Sequence, residues 1–157
     1  MGVVKAIVYI AALGVVSFVA GRLLPERWVH YDQFPFRAFA FENGGKIYEK
    51  LGIGKWKQKV PDMSRLFKKQ MQPKRLAGRP DTAELKLMID ETCVAELTHA
   101  ILCPLAPPII ALCPGWRGIA ICVVYILLGN LPFIMIQRYN RPRLIRLLEI
   151  SGRSRRS

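Results

Sequence analysis

The chain is short of acid and nearly without histidine. Against 24 Lys+Arg stand 11 Asp+Glu, and His30 and His99 are the two imidazoles in 157 residues. A base working near neutral pH therefore has two candidates of the usual kind. There is no Asp-x-Asp pair and no room for a nucleotide-sugar fold, which sets aside a glycosyltransferase. Cys93, Cys103, Cys113 and Cys122 fall nine or ten residues apart, with no CxxC and no Cys/His metal spacing. They read as free thiols packing like small hydrophobes. No internal repeat is present, so a solenoid is excluded and the length suits one domain.

What the chain does have is hydrocarbon beside positive charge. Apolar residues make up 52% of it while the net charge is +13. The two classes are segregated: the apolar residues gather at the start and between Leu97 and Gln137, the basic ones in the middle and the tail. Lys and Arg flanking hydrophobic runs suit anionic headgroups and the positive-inside rule, and no nucleic-acid partner is expected. The expected fold is mainly α: a small integral membrane protein with about three spanning or re-entrant helices, an amphipathic or interfacial cytoplasmic middle and a basic tail.

Residues 3–24 are long enough for a first span once Lys5 and Arg22 snorkel, and the length of the apolar run favours a retained anchor over a signal peptide. Pro25 is expected to stop that helix. Residues 25–95 form the cytoplasmic or interfacial region. Trp28, Tyr31, Phe34, Phe36, Phe39 and Phe41 offer rings for the headgroup level, and His30 reads as a surface imidazole. Lys55, Lys57 and Lys59 alternate around Trp56, and on a strand they would share one face able to meet phosphates. Pro61 breaks the chain, and Phe67 and Met71 suggest an amphipathic surface helix up to Pro73.

A helix is expected over Glu84 to Leu102, capped by Asp81 or Thr82. Glu96 and His99 lie three residues apart on it, so the carboxylate can reach the imidazole. An imidazole so oriented suits removal of a proton from an alcohol, and it suits an interfacial hydrogen bond equally. Residues 97–114 hold Pro104, Pro107, Pro108 and Pro114 and are expected to form a broken span, tolerated where protein or water satisfies the freed carbonyls. Residues 116–137 give the last span, interrupted at Gly129 to Pro132 with Asn130 deep in it. Residues 138–157 form the tail, with seven arginines and one acid. Counting charge puts the N-terminus outside and both basic regions in the cytoplasm.

At several places the sequence resembles the small membrane acyltransferases named for glycosyl-4,4'-diaponeurosporenoate acyltransferase, of staphyloxanthin synthesis. The resemblance runs from about Phe36 to Leu148. It is carried by FxFE at Phe39 to Glu42, Gly45-Lys46, KWK at Lys55 to Lys57 and Asp62. Ile89, Glu91, Thr92, Ala95, Glu96, Leu97 and His99 add to it, as does NxPxxxxQRYNRPRL from Asn130 to Leu144. The chain departs from the pattern at Pro104, Pro107 and Pro108, and at Cys93, where a charged residue is familiar.

The resemblance implies transfer of a fatty acyl group from a thioester such as acyl-CoA, as co-substrate, to a sugar hydroxyl of a membrane glycolipid such as a glycosylated carotenoid. It implies no permanently bound cofactor and no metal. Chemistry placed on the matching positions makes His99 the base and Glu96, or Glu91, its orienting carboxylate. Asn130 or Arg138 is then the oxyanion donor, and Lys55, Lys57, Arg141 and Arg143 hold the donor's phosphates. Trp56, Asn130, Arg138, Tyr139 and Asn140 would contact the acceptor. Cys93 as nucleophile is the weaker variant, being on the far side of the helix from His99. Expected partners are membrane lipids, the donor and the acceptor, with a homo-oligomer or biosynthetic complex allowed. If His99 is structural, the same basic faces suit a non-catalytic scaffold that stabilises a partner.

Overall fold

The computed structural model describes residues 1–24, 28–58, 60 and 81–154. The stop at Pro25, Lys59, the break at Pro61, Asp62 and the helix expected up to Pro73 lie outside the described residues. Helices and turns make up the rest, with no strand among the described residues.

Helix α1, Gly2–Leu23, has 22 residues. At ~1.5 Å per residue that is ~33 Å, enough to cross a hydrocarbon layer of ~30 Å. Of its side chains only Ala6 is buried, while Val4, Val8, Val15 and Val16 point outward. An apolar surface this long is compatible with insertion in a membrane. The same holds for Trp116–Arg153, the second stretch long and apolar enough to cross.

After α1 the chain turns through Val29 and Phe36, which pack on Cys93. It then enters a 3-10 helix, Ala40–Gly45, and two short helices, α2 (Lys46–Lys50) and α3 (Ile53–Trp56). The aromatic segment divides: Trp28, Phe34, Phe39 and Phe41 are exposed, but Phe36 is buried and Tyr31 half-buried, so those two are packing rings rather than headgroup rings. Two residues of the basic triplet also differ from expectation. Lys55 and Lys57 lie on a helical turn and diverge by about 200° instead of sharing a strand face.

Helix α4, Thr82–Leu102, starts where Asp81 accepts from the Thr82 amide, and ends before Pro104. A break over 103–107 leads to α5, Pro108–Leu112, which begins on a proline that needs no helical donor. Together α4 and α5 run antiparallel to α1. Gly21 meets Val94 and Thr98, Tyr9 donates to the Leu105 carbonyl at 2.9 Å, and Gly2 lies against Cys113. Helix α6, Trp116–Leu127, returns beside them, and Ala6, Ala106, Ile109, Cys113 and Cys122 form the buried cluster where they meet. Gly118 is obligatory in the first turn of α6, because a Cβ there would fall 1.9 Å from the Cys113 carbonyl oxygen. All four cysteines are free.

Helix α7 is Leu131–Ser154, one element across the point where the sequence suggested that a span ends and a tail begins. Its break from α6 is the turn at 128–130, and Pro132 falls harmlessly in its first turn. Helix α7 packs antiparallel on α4 along most of its length, and this pairing builds the site.

Candidate active site

Between α4, α7 and the 35–42 segment lies a layer of four charges, all nearly inaccessible: side-chain exposure is 2% for Glu42, 7% for Glu96, 8% for Arg138 and 3% for Arg141. Arg138 donates five hydrogen bonds, two to Glu42, one to Glu96 and one each to the Pro35 and Arg37 carbonyls. Arg141 donates to Glu96, to the Thr92 hydroxyl (2.9 Å) and carbonyl (3.1 Å), and to the Phe36 carbonyl at 2.6 Å. Tyr48 and the Phe39 amide complete Glu42. The layer is neutral, two carboxylates against two guanidiniums, which is the condition for holding charge in a dry place. Burial alone would raise the Glu42 carboxyl; hydrogen bonds from Arg138, Tyr48 and Phe39 outweigh it and hold the group below its usual 4.5. Burial, then the bond to Glu42, pushes the Tyr48 phenol up.

Glu96 therefore does not orient His99. Its two oxygens are taken by Arg138 and Arg141, since a guanidinium outcompetes a neutral imidazole for a carboxylate. His99 is one helical turn further along the same face of α4, against the start of α7. Its Nδ1 lies 3.0 Å from Asn130 Oδ1, and its ring stacks on Phe133 at 4.5 Å between centroids. Asn130, 1% exposed, donates its Nδ2 to the Tyr125 carbonyl at 2.8 Å. That bond needs a tight turn: a Cβ on Gly129 would sit 2.6 Å from the same Tyr125 oxygen. Both ends of the amide of Asn130, a residue expected among the acceptor contacts, are thus engaged by protein. Arg138, with five donors engaged, is not placed as an oxyanion donor.

Other expected residues form a second cluster on a neighbouring face of α7. Arg143 lies 3.5 Å and Lys57 Nζ 4.7 Å from the Tyr139 ring centroid, and Lys57 reaches Asn140 at 3.4 Å. Arg143 also pairs with Glu49 at the surface. Burial, then the nearby Arg143 charge, pushes the Lys57 ammonium below its usual value. Gly45 lies against Tyr139 and Arg143 of α7 and has φ +91°, a left-handed backbone that favours glycine. Lys55 is exposed beside this cluster but turned from Lys57. Trp56 bonds the Leu51 carbonyl at 3.1 Å. Arg141 belongs to the ionic layer and is not an open phosphate ligand. Cys93 is fully buried, and burial raises its thiol to about 11, which removes it as a nucleophile. Glu91 stays half-buried on α4 and His30 is exposed.

A cleft of about 270 Å³ opens below the ionic layer, between Tyr31, Phe36, Ala38 and the α7 residues Pro142, Ile145, Arg146 and Glu149. Glu42, Arg138 and Arg141 form its inner wall, and His99 is on the other side of that wall. Sequence reasoning assigns Glu42, Tyr48 and Thr92 no role in the site. For two of them a signal exists, because Glu42 closes the FxFE motif and Thr92 belongs to the pattern around Glu91 and Glu96.

The model of the glycosyl-4,4'-diaponeurosporenoate acyltransferase family matches residues 25–150, a range that contains the ionic layer, the His99–Asn130 pair and the Lys57–Arg143 cluster. The chain belongs to this family. Glycosyl-4,4'-diaponeurosporenoate acyltransferases of Staphylococcus aureus strains N315 and USA300 are each 36% identical to it over 135 residues, 85% of this chain and 79% of the relative. The counterpart from strain bovine RF122 / ET3-1 is 35% identical over the same length. No solved structure matches the chain. Within the family match, the FxFE and RYNRPR motifs acquire a physical meaning: they supply three of the four charges of the ionic layer, Glu42 and Arg138 with Arg141, and Glu96 of α4 supplies the fourth.

Proposed function

We propose that the protein is a membrane O-acyltransferase that moves a fatty acyl group from a thioester, acyl-CoA or a close analogue, to a sugar hydroxyl of a glycosylated lipid, with a glycosylated carotenoid as acceptor. The family supports the reaction class and the acceptor. The observation that carries the chemistry is the hydrogen-bonded His99–Asn130 pair, an imidazole held by protein at the apolar end of the α4–α7 interface.

In this reading His99 takes the proton of the acceptor hydroxyl as that oxygen attacks the thioester carbonyl carbon. The tetrahedral intermediate collapses, the C–S bond breaks, and the leaving thiolate recovers the proton from the imidazolium. A thiolate leaves readily, so no enzyme nucleophile is required. Lys57 and Arg143 hold the donor's phosphates; Asn140 lies ten residues along α7 from Asn130, about 15 Å, a separation that the long arm of a CoA thioester bridges. The chain crosses the membrane with α1, with the broken run over 97–114 and with α6 leading into α7. The N-terminus lies outside, and the basic regions face the cytoplasm.

The test is acyl transfer by purified protein in nanodiscs, with acyl-CoA and a glycosylated carotenoid, followed by mass spectrometry of the ester. His99→Ala abolishes transfer while the protein still folds and inserts; full activity in that variant rejects the base. Lipid analysis of cells with and without the protein addresses the scaffold alternative: an O-acylated glycolipid that persists without the protein while a biosynthetic complex is lost supports the scaffold.

A further inference from the structure

We infer that Asn130 is the positioning residue of this site and that it fixes His99 as the tautomer protonated on Nδ1, leaving the lone pair on Nε2. The inference deepens the reading of His99 as base and rests on it for its catalytic meaning, though not for its geometry.

An asparagine side chain has a donor end and an acceptor end, and its orientation is set by whichever end has an unambiguous partner. Here the Tyr125 carbonyl, an acceptor only, receives a hydrogen bond from Nδ2 at 2.8 Å. Oδ1 must then be the atom facing His99 Nδ1 at 3.0 Å. An amide oxygen only accepts, so Nδ1 must carry the hydrogen, and in the neutral ring Nε2 has none. Phe133, stacked within 10° of parallel, holds the ring plane so that this edge stays on Asn130.

Three backbone features fix the arrangement in advance. Asn130 is in the turn between α6 and α7, its own amide bonded to the Ile126 carbonyl at 3.3 Å. Gly129 allows the Tyr125 carbonyl to come close enough. Pro132, in the first turn of α7, has no N–H that would need an acceptor in this turn. An imidazole free to choose would mix its tautomers, and only molecules with the lone pair on Nε2 could use that atom as the base. Asn130 makes the population uniform, a gain that belongs to kcat rather than to substrate binding.

The experiment uses the second histidine's position. His30 is exposed, and the chain has two histidines, so His30→Gln leaves His99 as the single imidazole. Full-length protein of that background, 15N-labelled at histidine and placed in nanodiscs, is expected to show the Nδ1–H tautomer, and Asn130→Ala is expected to lose it. In transfer assays Asn130→Ala lowers kcat several-fold, the share of turnover that a mixed tautomer population forfeits, with KM for acyl-CoA unchanged. Asn130→Asp, which keeps an acceptor facing Nδ1 but loses the bond to the Tyr125 carbonyl, recovers part of the loss. An Nε2–H tautomer in the unsubstituted site, or an Nδ1–H tautomer that survives Asn130→Ala, overturns the inference. The Nδ1–H tautomer in a protein whose transfer survives His99→Ala would instead remove the base and leave the positioning of the ring established.

Discussion

Replacing Glu96 by glutamine separates a role in chemistry from a role in the fold. As the carboxylate partner of an imidazole it would be needed for turnover and dispensable for stability. The structure reverses that expectation. Glu96 accepts from Arg138 and Arg141 in a place where neither guanidinium is more than 8% exposed. The amide that Glu96→Gln introduces would keep one acceptor but turn an NH₂ group toward a guanidinium that also only donates, and the layer would carry one uncompensated positive charge. Removing one partner of a buried pair costs about 3–5 kcal/mol. In a chain of this size, 1 kcal/mol corresponds to roughly 2–4 °C, so the melting temperature should drop by about 10 °C. Thermal unfolding in a fixed detergent measures it, and maleimide labelling gives a second readout. Cys93, fully buried beside Val29 and Phe36, should become reactive as the 35–42 segment loosens. A Glu96→Gln protein that melts like the parent, keeps Cys93 protected and yet transfers no acyl group would refute this reasoning and return Glu96 to the reaction.

Acid should act on the same layer through Glu42. Its folded pKa lies below the usual 4.5, so its stabilisation is complete above that value and is lost as pH falls through the lower, folded-state value. Melting temperature should hold from neutrality to about pH 4.5 and fall beneath it, whereas Glu42→Gln, less stable throughout, should lose this part of the acid dependence; an identical acid profile in both proteins would assign the transition to another group. At the cation cluster, Lys57→Met should raise KM about tenfold for acyl-CoA, the value of one charge-assisted contact, and much less for an acyl-pantetheine without phosphates. Equal changes for both donors would exclude Lys57 from phosphate binding.

Much of this protein is written in its local patterns. The first helix follows from an unbroken apolar run, the start of α4 from Asp81, and the interruption after Leu102 from prolines that neither donate nor tolerate a continuing helix. Spacing along α4 also put Glu96 and His99 on one face, as they are. What spacing could not supply was the other helix. Whether a carboxylate serves an imidazole three residues away or a guanidinium 42 residues away depends on which is brought within reach, and the antiparallel docking of α7 delivers Arg138 and Arg141 to Glu96 and Asn130 to His99. A charge leaving water takes the strongest partner that packing offers, and sequence separation has no part in that choice. The composition thus determined that basic and apolar segments would be segregated. Only the tertiary structure decided that the acids close an ionic layer while an amide from a distant turn holds the imidazole.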